Sequence, residues 1–361
     1  MGLINYRQNK KVPFISIGIF AALFGALLIF SSVAATYPDF NDDGKVDMAD
    51  LSTMLSNYGK SGVGDLDNSG LVDIFDLSIL LSNYGKNVAP SNSPSGVPMP
   101  TEQTITSGGF NWQQVFTDDF STNIALGSFP TAVANKWSAY PDGTRDTFCN
   151  GVFYPSKVNS VSNGVLNNYL HDETVTYTIW PGQEKSACPT AGTFTKQIRL
   201  GSALVPKIGG GSGDQLYGRY AVRFKTDALP NYYAAWLLWP QSEVWPRDGE
   251  IDWPEGALNG TMSGFVHWMN GTSGSDQQGC SSTTKFLDDS AVNKWNTVVT
   301  EWAPGSVKFY ANDQLVCTVT GSRVPSTPMH YVLQTETGDT STNNWVDGNL
   351  QVDWIAIYKK L

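Results

Sequence analysis

The chain has 361 residues and a net charge of −10, from 23 Lys and Arg against 33 Asp and Glu. Hydrophobic residues make up 41% and charged residues 16%, which excludes a disordered chain, and the acidic balance excludes a general nucleic-acid binder. The length allows about two or three domains, and 35 Gly with 12 Trp favour a β-rich fold.

The first 36 residues predict a targeting segment. Three basic residues between positions 7 and 11 precede an apolar run from Val12 to Ala35, which is the pattern of an export signal. Small residues before Tyr37 offer a cleavage site, but the run is long enough for an uncleaved membrane anchor. A buried core helix is a third alternative. Because the positive charges stay inside, the rest of the chain is expected outside the cell, secreted or held at the cell surface.

Cysteine usage agrees with an oxidising compartment. The four cysteines are even in number and lack the CxxC spacing of a zinc site, so disulfides are expected. Three pairings are possible, and the sequence leaves the choice open among Cys149, Cys188, Cys280 and Cys317.

Residues 37–88 contain a direct repeat. Asp39–Lys60 and Asp65–Lys86 are identical at 13 of 22 aligned positions. Each copy places oxygen donors at positions 1, 3, 5, 9 and 12 of a twelve-residue loop, a backbone carbonyl at 7 and Gly at 6, which is the spacing of a calcium loop. The predicted ligands are Asp39, Asn41, Asp43, Lys45, Asp47 and Asp50 in the first loop, and Asp65, Asp67, Ser69, Leu71, Asp73 and Asp76 in the second.

Each loop is followed by apolar residues at helical spacing, so each copy predicts a loop plus one helix. The two stripes expected to pack against each other are Leu51, Met54, Leu55 and Tyr58, and Leu77, Leu80, Leu81 and Tyr84. The segment has nine Asp against three Lys, so folding is expected to depend on two bound Ca²⁺ ions. A plain Asx-rich turn is the alternative, which two copies in register disfavour.

This segment resembles a dockerin domain, through the duplication, the loops that end in Asp and the helices that follow. The resemblance implies a partner, a scaffold protein that bears a cohesin module. Recognition in that family involves loop places 10 and 11, here Met48-Ala49 and Ile74-Phe75. Common type I dockerins have Ser or Thr at these places. A calcium-stabilised spacer without a partner is the alternative.

Residues 89–107 are rich in Pro and Ser, show no apolar period and predict a semi-extended linker. From residue 108 to 361, short apolar and aromatic segments alternate with Gly, Asn and Asp. Many short strands predict a β-sandwich, and the size of this region favours a jelly roll.

Three carboxylates lie close together at Glu250, Asp252 and Glu255. Glu250 and Asp252 share one face of a strand, whereas Glu255 reaches that face only through a β-bulge, for which Pro254 is suited. Such a row fits glycoside hydrolysis, in which one carboxylate attacks the anomeric carbon and another carboxyl group protonates the leaving oxygen. Asp252 would raise the proton affinity of its neighbours. A solvated acidic face is the alternative.

Five of the 12 tryptophans fall between Trp236 and Trp268. Because sugar C–H faces stack on indole rings, tryptophans beside carboxylates predict a glycan cleft. For any single Trp, packing in the core is equally open. His267 lies in the same stretch and is expected to orient an acid or the sugar.

Residues 108–361 resemble glycoside hydrolase family 16, the clan of laminarinases and lichenases. The signature is Gly249-Glu-Ile-Asp-Trp-Pro-Glu255, with two residues between Asp252 and Glu255 as in laminarinases. Matching flanks are Leu216–Tyr220, Ala235–Pro240, Val266–Trp268, Glu301-Trp302 and Val352–Tyr358.

The resemblance implies a concanavalin A-like jelly roll. It also implies a retaining mechanism with Glu250 as nucleophile, Asp252 as its electrostatic helper and Glu255 as acid/base. No cofactor is implied for catalysis, but a structural calcium on the jelly roll is, with Asp353 as candidate ligand. The candidate substrate contacts are Trp236, Trp245, Trp253, His267, Trp268 and Gln334.

The implied activity is endo-hydrolysis of β-1,3-glucan or mixed β-1,3-1,4-glucan. The same family includes agarases, carrageenases and xyloglucan transferases, and Ala235 and Gln334 depart from common residues. Other polysaccharides, transglycosylation and non-catalytic glycan binding therefore stay open as alternatives.

Overall fold

The computed structural model describes residues 38–40, 45–60, 64–66, 69, 71–86, 93–95, 97–179, 191–269, 271, 276–280, 291–338 and 346–361. No helix within these ranges has the length and apolar character needed to cross a membrane. The predicted targeting segment lies outside the described residues, and so do the predicted calcium ligands Asn41, Asp43 and Asp67.

The described ranges contain 18 β-strands and three α-helices. The helices are α1 (Met48–Ser56), α2 (Ile74–Asn83) and α3 (Pro155–Val158). The strands are β1 (Thr104–Ser107), β2 (Phe110–Asp118), β3 (Trp137–Ala139), β4 (Thr144–Arg145), β5 (Gly151–Phe153), β6 (Asn159–Ser162), β7 (Val165–Ile179), β8 (Gly192–Pro206), β9 (Gly218–Thr226), β10 (Tyr232–Pro240), β11 (Glu250–Ala257), β12 (Met262–Met269), β13 (Asp276–Gly279), β14 (Asn296–Ala303), β15 (Ser306–Ala311), β16 (Gln314–Thr320), β17 (Met329–Thr337) and β18 (Gly348–Lys360).

The strands build two antiparallel layers. The front sheet has the order β13–β12–β11–β10–β17–β8–β3. The back sheet has the order β1–β2–β18–β9–β14–β15–β16. The long strand β7 pairs with β18 in the back sheet and with β8 at the side. The predicted β-sandwich of the jelly-roll type is therefore confirmed.

Aromatic residues from both layers fill the space between them. Trp236 of β10 packs on Phe224 of β9, with ring centroids 4.7 Å apart, and Trp253 of β11 stacks on Phe309 of β15 at 5.5 Å. All four are fully buried, and each such ring stabilises the fold by about 2–3 kcal/mol. Because side chains alternate along a strand, the residues between them, such as Ala235, point away from the core. We call that side of the front sheet the open face.

Each copy of the repeat folds as a loop followed by a helix. Asp47 and Asp73 cap α1 and α2, and each helix begins with a capping box completed by Asp50 or Asp76. The side chains of Asp50 and Asp76 are fully buried, and each also accepts a hydrogen bond from the second residue of its loop, at 2.6 Å. These contacts hold the loop against the first turn of the helix that follows.

The core of this repeat differs from the one expected. Met54 and Leu80 are buried as predicted, but they pack with three loop residues, Val46, Leu66 and Val72. Four other predicted stripe residues are 42–53% exposed: Leu55, Tyr58, Leu81 and Tyr84. Val46 and Val72 make backbone hydrogen bonds with the residues just after the opposite helix, at positions 85–86 and 59–60, and their buried side chains take part in this core.

The expected linker is attached to the back sheet. Strand β1 begins at Thr104, inside the range predicted as linker. Further upstream, Ser93 and Ser95 donate hydrogen bonds to the carboxylate of Asp353, and Trp354 Nε1 donates to the carbonyl of Val97 at 3.0 Å. The part of the linker that the structure describes is therefore an ordered strap, and not a free tether.

Asp353 does not fit the predicted calcium ligand. Its side chain is 1% exposed, it accepts both serine hydroxyls, and the Arg223 guanidinium lies near enough to lower its pKa, against the larger raising effect of burial. Both serine hydroxyls already donate to this carboxylate, and the fixed positive charge of Arg223 disfavours a second cation beside it.

The described cysteines are all in disulfides. Cys280, which follows β13, is bonded to Cys317 of β16, and Cys149 is also disulfide-bonded. This excludes the two pairings that join Cys149 to Cys280 or Cys317. Cys188 lies outside the described residues.

The strap makes a prediction for stability. Ser95 Oγ accepts from Arg223 Nε at 2.6 Å and donates to buried Asp353, so Ser95→Ala leaves two charged groups each short of a partner. We expect the free energy of unfolding to fall by about 1–3 kcal/mol in urea titrations. Exposed Ser322 is the control, since Ser322→Ala should change it by less than about 0.5 kcal/mol. Equal effects of the two variants would contradict the strap.

Candidate active site

Strand β11 presents acidic side chains on one face and apolar side chains on the other. Ile251 and Trp253 are each 1% exposed and lie in the core, and Trp253 Nε1 donates to the carbonyl of Tyr310 at 3.0 Å. With these two residues fixed inward, alternation directs Glu250 and Asp252 to the open face.

A β-bulge brings Glu255 to the same face. Asp252 pairs with Leu237 of β10 and Glu255 pairs with Ala235, so three steps along β11 match two steps along β10. The pairing of β11 with β12 shifts at the same place. The extra residue reverses the alternation, and this is the irregularity that the sequence required.

Neighbouring side chains hold the acidic residues in place. His267 of β12 lies directly opposite Glu250, and its Nε2 atom is 3.1 Å from Asp252 Oδ2. Trp245 Nε1 donates a 2.8 Å hydrogen bond to Glu250 Oε2. One potential ligand atom from each of Glu250, Asp252 and His267 lies within 4.8 Å of the others. The carboxylates therefore form one electrostatic group.

Burial favours protonated carboxyl groups here. Burial, and after it the Asp252 charge, raises the pKa of Glu250 to about 9, although His267 and Trp245 act in the opposite direction. Burial also raises the pKa of Glu255, and His267 opposes this in part. Because the carboxyl groups interact, their protons belong to the group and not to single residues. Such a group can hold one acid and one carboxylate at the same pH, which is what double displacement needs.

Three of the six predicted substrate contacts lie on the open face. They are Trp245, His267 and Gln334, and Gln334 of β17 pairs with Ala235, the residue that also pairs with Glu255. Gln334 is therefore in the same row across the sheet as Glu255.

The other three predicted contacts face away from the open face. Trp236 and Trp253 are core residues with 1% exposure. Trp268 follows His267 on β12 and so points to the opposite side, where it packs at the edge of the core beneath Arg323, at 5.7 Å. These predictions are wrong because a count of tryptophans near carboxylates ignores the alternation of a strand, which separates Trp236 and Trp253 from the acidic residues.

Two aromatic residues near Glu250 were not predicted from the sequence. Trp239 of β10 donates from Nε1 to Glu243 Oε2 at 2.8 Å. Tyr140, just after β3, has its pKa raised by burial and further by the charges of Glu243 and Glu250. Trp239 could have been placed on the open face, because it is four residues from Ala235 on the same strand. Tyr140 lies far from Glu250 in the sequence, and no local pattern predicts that the two are close.

Two buried carboxyl groups were also missed. Glu336 of β17 is 3% exposed and Asp146 is 2% exposed. Burial, and after it the charge of Asp146, raises the pKa of Glu336 to about 8, and Glu255 adds to this shift. Glu336 lies two residues beyond Gln334 and therefore on the open face. The same period of two could have identified it.

Comparison with known proteins agrees with this geometry. Residues 195–356 match the model of the family described as glycosyl hydrolases family 16. The matched residues make up somewhat less than half of the chain. The match includes strand β11 and all three acidic residues on it.

A curated relative is the keratan-sulfate endo-1,4-beta-galactosidase of Sphingobacterium multivorum. It is 26% identical over 165 residues, which are 41% of this chain and 38% of that enzyme. The aligned part therefore spans well under half of that relative.

Solved structures share the fold. The LamAcat structure from Zobellia galactanivorans is 21% identical, with a TM-score of 0.53 over 68% of this chain and 97% of that one. The endo-beta-1,3-glucanase from Pyrococcus furiosus is 18% identical, with a TM-score of 0.53 over 72% and 99%. SCLam, a non-specific endo-beta-1,3(4)-glucanase, is 18% identical, with a TM-score of 0.52 over 72% and 95%. At these identities the likeness concerns the fold alone.

The electrostatics predict how activity depends on pH. Activity should fall as pH rises through the raised pKa of Glu255, because the acid is then lost. His267 lowers the pKa of both Glu250 and Glu255, so His267→Gln, which keeps an N–H donor for Asp252, should move the whole kcat/KM profile to higher pH. Profiles measured on a cleaved glycan check this. His171→Gln on β7 is the control and should leave the profile unchanged. An unchanged profile in His267→Gln would contradict the effect of His267 on the two glutamates.

Proposed function

We propose that this protein is an extracellular retaining endo-β-glucanase that hydrolyses β-1,3-glucan or mixed β-1,3-1,4-glucan. The observation that carries the proposal is the bulged strand, which gathers Glu250, Asp252 and Glu255 on one face. The match of residues 195–356 to family 16 supports the hydrolase class. The neighbours named as glucanases support the choice of glycan.

In the first step, a carboxylate oxygen of Glu250 forms a bond to the anomeric carbon while the bond from that carbon to the glycosidic oxygen breaks. Trp245 holds the other side of the carboxylate through its 2.8 Å hydrogen bond to Oε2, which orients the group for attack. Glu255 gives its proton to the departing oxygen. The products are a glycosyl-enzyme ester, a shortened glycan and an ionised Glu255.

In the second step, Glu255 takes a proton from water as the water oxygen bonds to the anomeric carbon. The ester bond to Glu250 breaks, and both glutamates return to their starting states. Asp252, paired with His267 at 3.1 Å, keeps a negative charge beside Glu250 that favours departure of the sugar. Two inversions at one carbon give net retention.

A second candidate is hydrolysis of a β-galactoside glycan, favoured by the keratan-sulfate endo-1,4-beta-galactosidase among the relatives. Agarose, carrageenan and xyloglucan are further candidates within the family. Transfer of the sugar to another glycan would use the same covalent intermediate, and it would give products longer and shorter than the starting oligosaccharide.

Glu250→Ala tests the activity itself. We expect the release of reducing ends from laminarin or mixed-linkage glucan to fall by about 10³-fold or more, because the covalent step is lost. Proton NMR of early products should show the β-anomer first in the native protein. Exposed Glu102 is the control, since Glu102→Ala should keep full activity. Persistent activity in Glu250→Ala would refute the nucleophile, and binding without products would indicate a glycan-binding protein.

We further propose that residues 37–88 bind two Ca²⁺ ions and dock on a cohesin-bearing scaffold protein, and that residues 1–36 direct export. The donors in the described part of the loops are hard oxygens, as Ca²⁺ prefers. The loop backbone folds back on these donors, since Ser69 N–H donates to Asp65 Oδ1 at 3.0 Å. Loop places 10 and 11 are open to a partner, with Met48, Ile74 and Phe75 59–67% exposed.

Calcium removal tests the docking module. A chelator should lower the helical signal at 222 nm, because buried Asp50 and Asp76 would lose the cation that offsets their charge. Calorimetry of the full chain should detect two sites, and Asp50→Asn with Asp76→Asn should weaken both. Asp313→Asn, at an exposed turn, is the control. Helicity that does not change with the chelator would contradict the proposed calcium sites. Calcium binding without binding to any cohesin would indicate a spacer.

A further inference from the structure

The loop that joins β4 to β5, residues 146–150, reaches the open face beyond Glu255. The ring of Phe148 lies 5.8 Å from the ring of Tyr233, with a tilt of 50°. Tyr233 of β10 pairs with Ala257, two residues past Glu255 on β11. The loop therefore places an aromatic ring on the side of Glu255 that faces away from Glu250.

Four hydrogen bonds tie this loop to the end of β17. Two of their acceptors are the buried carboxyl groups for which the catalytic steps have no use. The bonds are Thr337 N–H to Asp146 Oδ2 (3.1 Å), the Thr337 hydroxyl to the same oxygen, Thr147 N–H to Glu336 Oε2 (3.0 Å) and Asn150 Nδ2 to the Gly338 carbonyl (3.1 Å). Cys149 is disulfide-bonded, and Arg145 Nη2 donates to its carbonyl at 3.0 Å. The loop is thus fixed along its whole length.

The aromatic pair rests on a residue without a side chain. A Cβ atom at Gly338 would lie 2.1 Å from the Tyr233 ring, so only glycine leaves room for that ring. Tyr233 in turn supports Phe148, whose side chain is 43% exposed. A large apolar ring held open to solvent on a fixed loop is a ready surface for a ligand.

The chemistry defines which part of a glycan would reach this ring. Displacement at the anomeric carbon is in line, so the leaving oxygen lies on the side opposite Glu250, next to the proton of Glu255. Trp245 donates to Glu250, and Trp239 follows Leu238, which pairs with Ile251 next to Glu250, so both tryptophans lie at the other end of the row. Phe148 is therefore beside the sugar that departs, and the two tryptophans are beside the sugar that stays on the enzyme.

We propose that Phe148, supported by Tyr233, is the stacking platform for the pyranose ring on the leaving-group side of the scissile bond. The proposal rests on the proposed function, because it needs a glycan cleaved between Glu250 and Glu255. Its ligand is a hexopyranose that offers a C–H face to the ring. The role of Asp146 and Glu336 is to position this loop.

Two kinds of substrate separate this role from a structural one. An oligosaccharide of the cleaved glycan fills the leaving-group side with sugars, whereas a β-glycosyl fluoride of the same series loses only fluoride and leaves that side without a sugar. We expect Phe148→Ala to lower kcat/KM by about 10-fold on the oligosaccharide and by a clearly smaller factor on the fluoride. Phe148→Trp should keep the native kcat/KM on the oligosaccharide, and Phe148→Leu should keep part of it.

Leu315 on β16 is the matched control, as an apolar side chain of similar exposure in the back sheet. Leu315→Ala should lower neither rate. Equal losses of Phe148→Ala on both substrates, or no loss on the oligosaccharide, would overturn the platform while the proposed function stands. A native protein that cleaves no glycan in the panel would overturn both.

Discussion

The extra residue between Asp252 and Glu255 is the constraint on which the site depends. The core fixes Ile251 and Trp253 inward, so regular alternation would direct Glu255 into the space between the sheets, where an unpaired carboxylate is costly. The bulge removes that conflict. Gly256 follows it with φ +152°, and a Cβ atom there would lie 2.3 Å from the carbonyl of Thr261, so the strand rejoins its partner only with glycine at this place.

The same geometry sets the electrostatics of the open face. Glu250, Asp252, Glu255 and Glu336 are all acidic, and burial raises the pKa of the three glutamates. His267 acts against burial, since it lowers the pKa of both Glu250 and Glu255. Burial and the His267 imidazole together set how many protons these carboxyl groups hold. A retaining mechanism requires at least one of them to be protonated and at least one to be ionised.

The sequence was most informative where a local rule determines the structure. Period two placed Glu250 and Asp252 together, the odd offset of Glu255 required a bulge, and duplication located both capped helices. Sequence distance limited the rest. Tyr140 and Asp146 reach the open face from an early part of the chain, and the direction of Trp236 depends on which face of β10 meets Phe224. The strap was missed because its Pro and Ser composition carries no apolar period, although its serines meet a buried carboxylate.

The strap also determines how a mechanical load would enter the enzyme. A pull on the chain ahead of Ser93 passes first to Asp353 and Trp354, both on β18 in the middle of the back sheet. There the force is shared by the backbone hydrogen bonds that join β18 to β2 and β9. Strand β11 belongs to the other sheet. A pull from the N-terminal side would thus load the back sheet, and not β11 with its acidic residues.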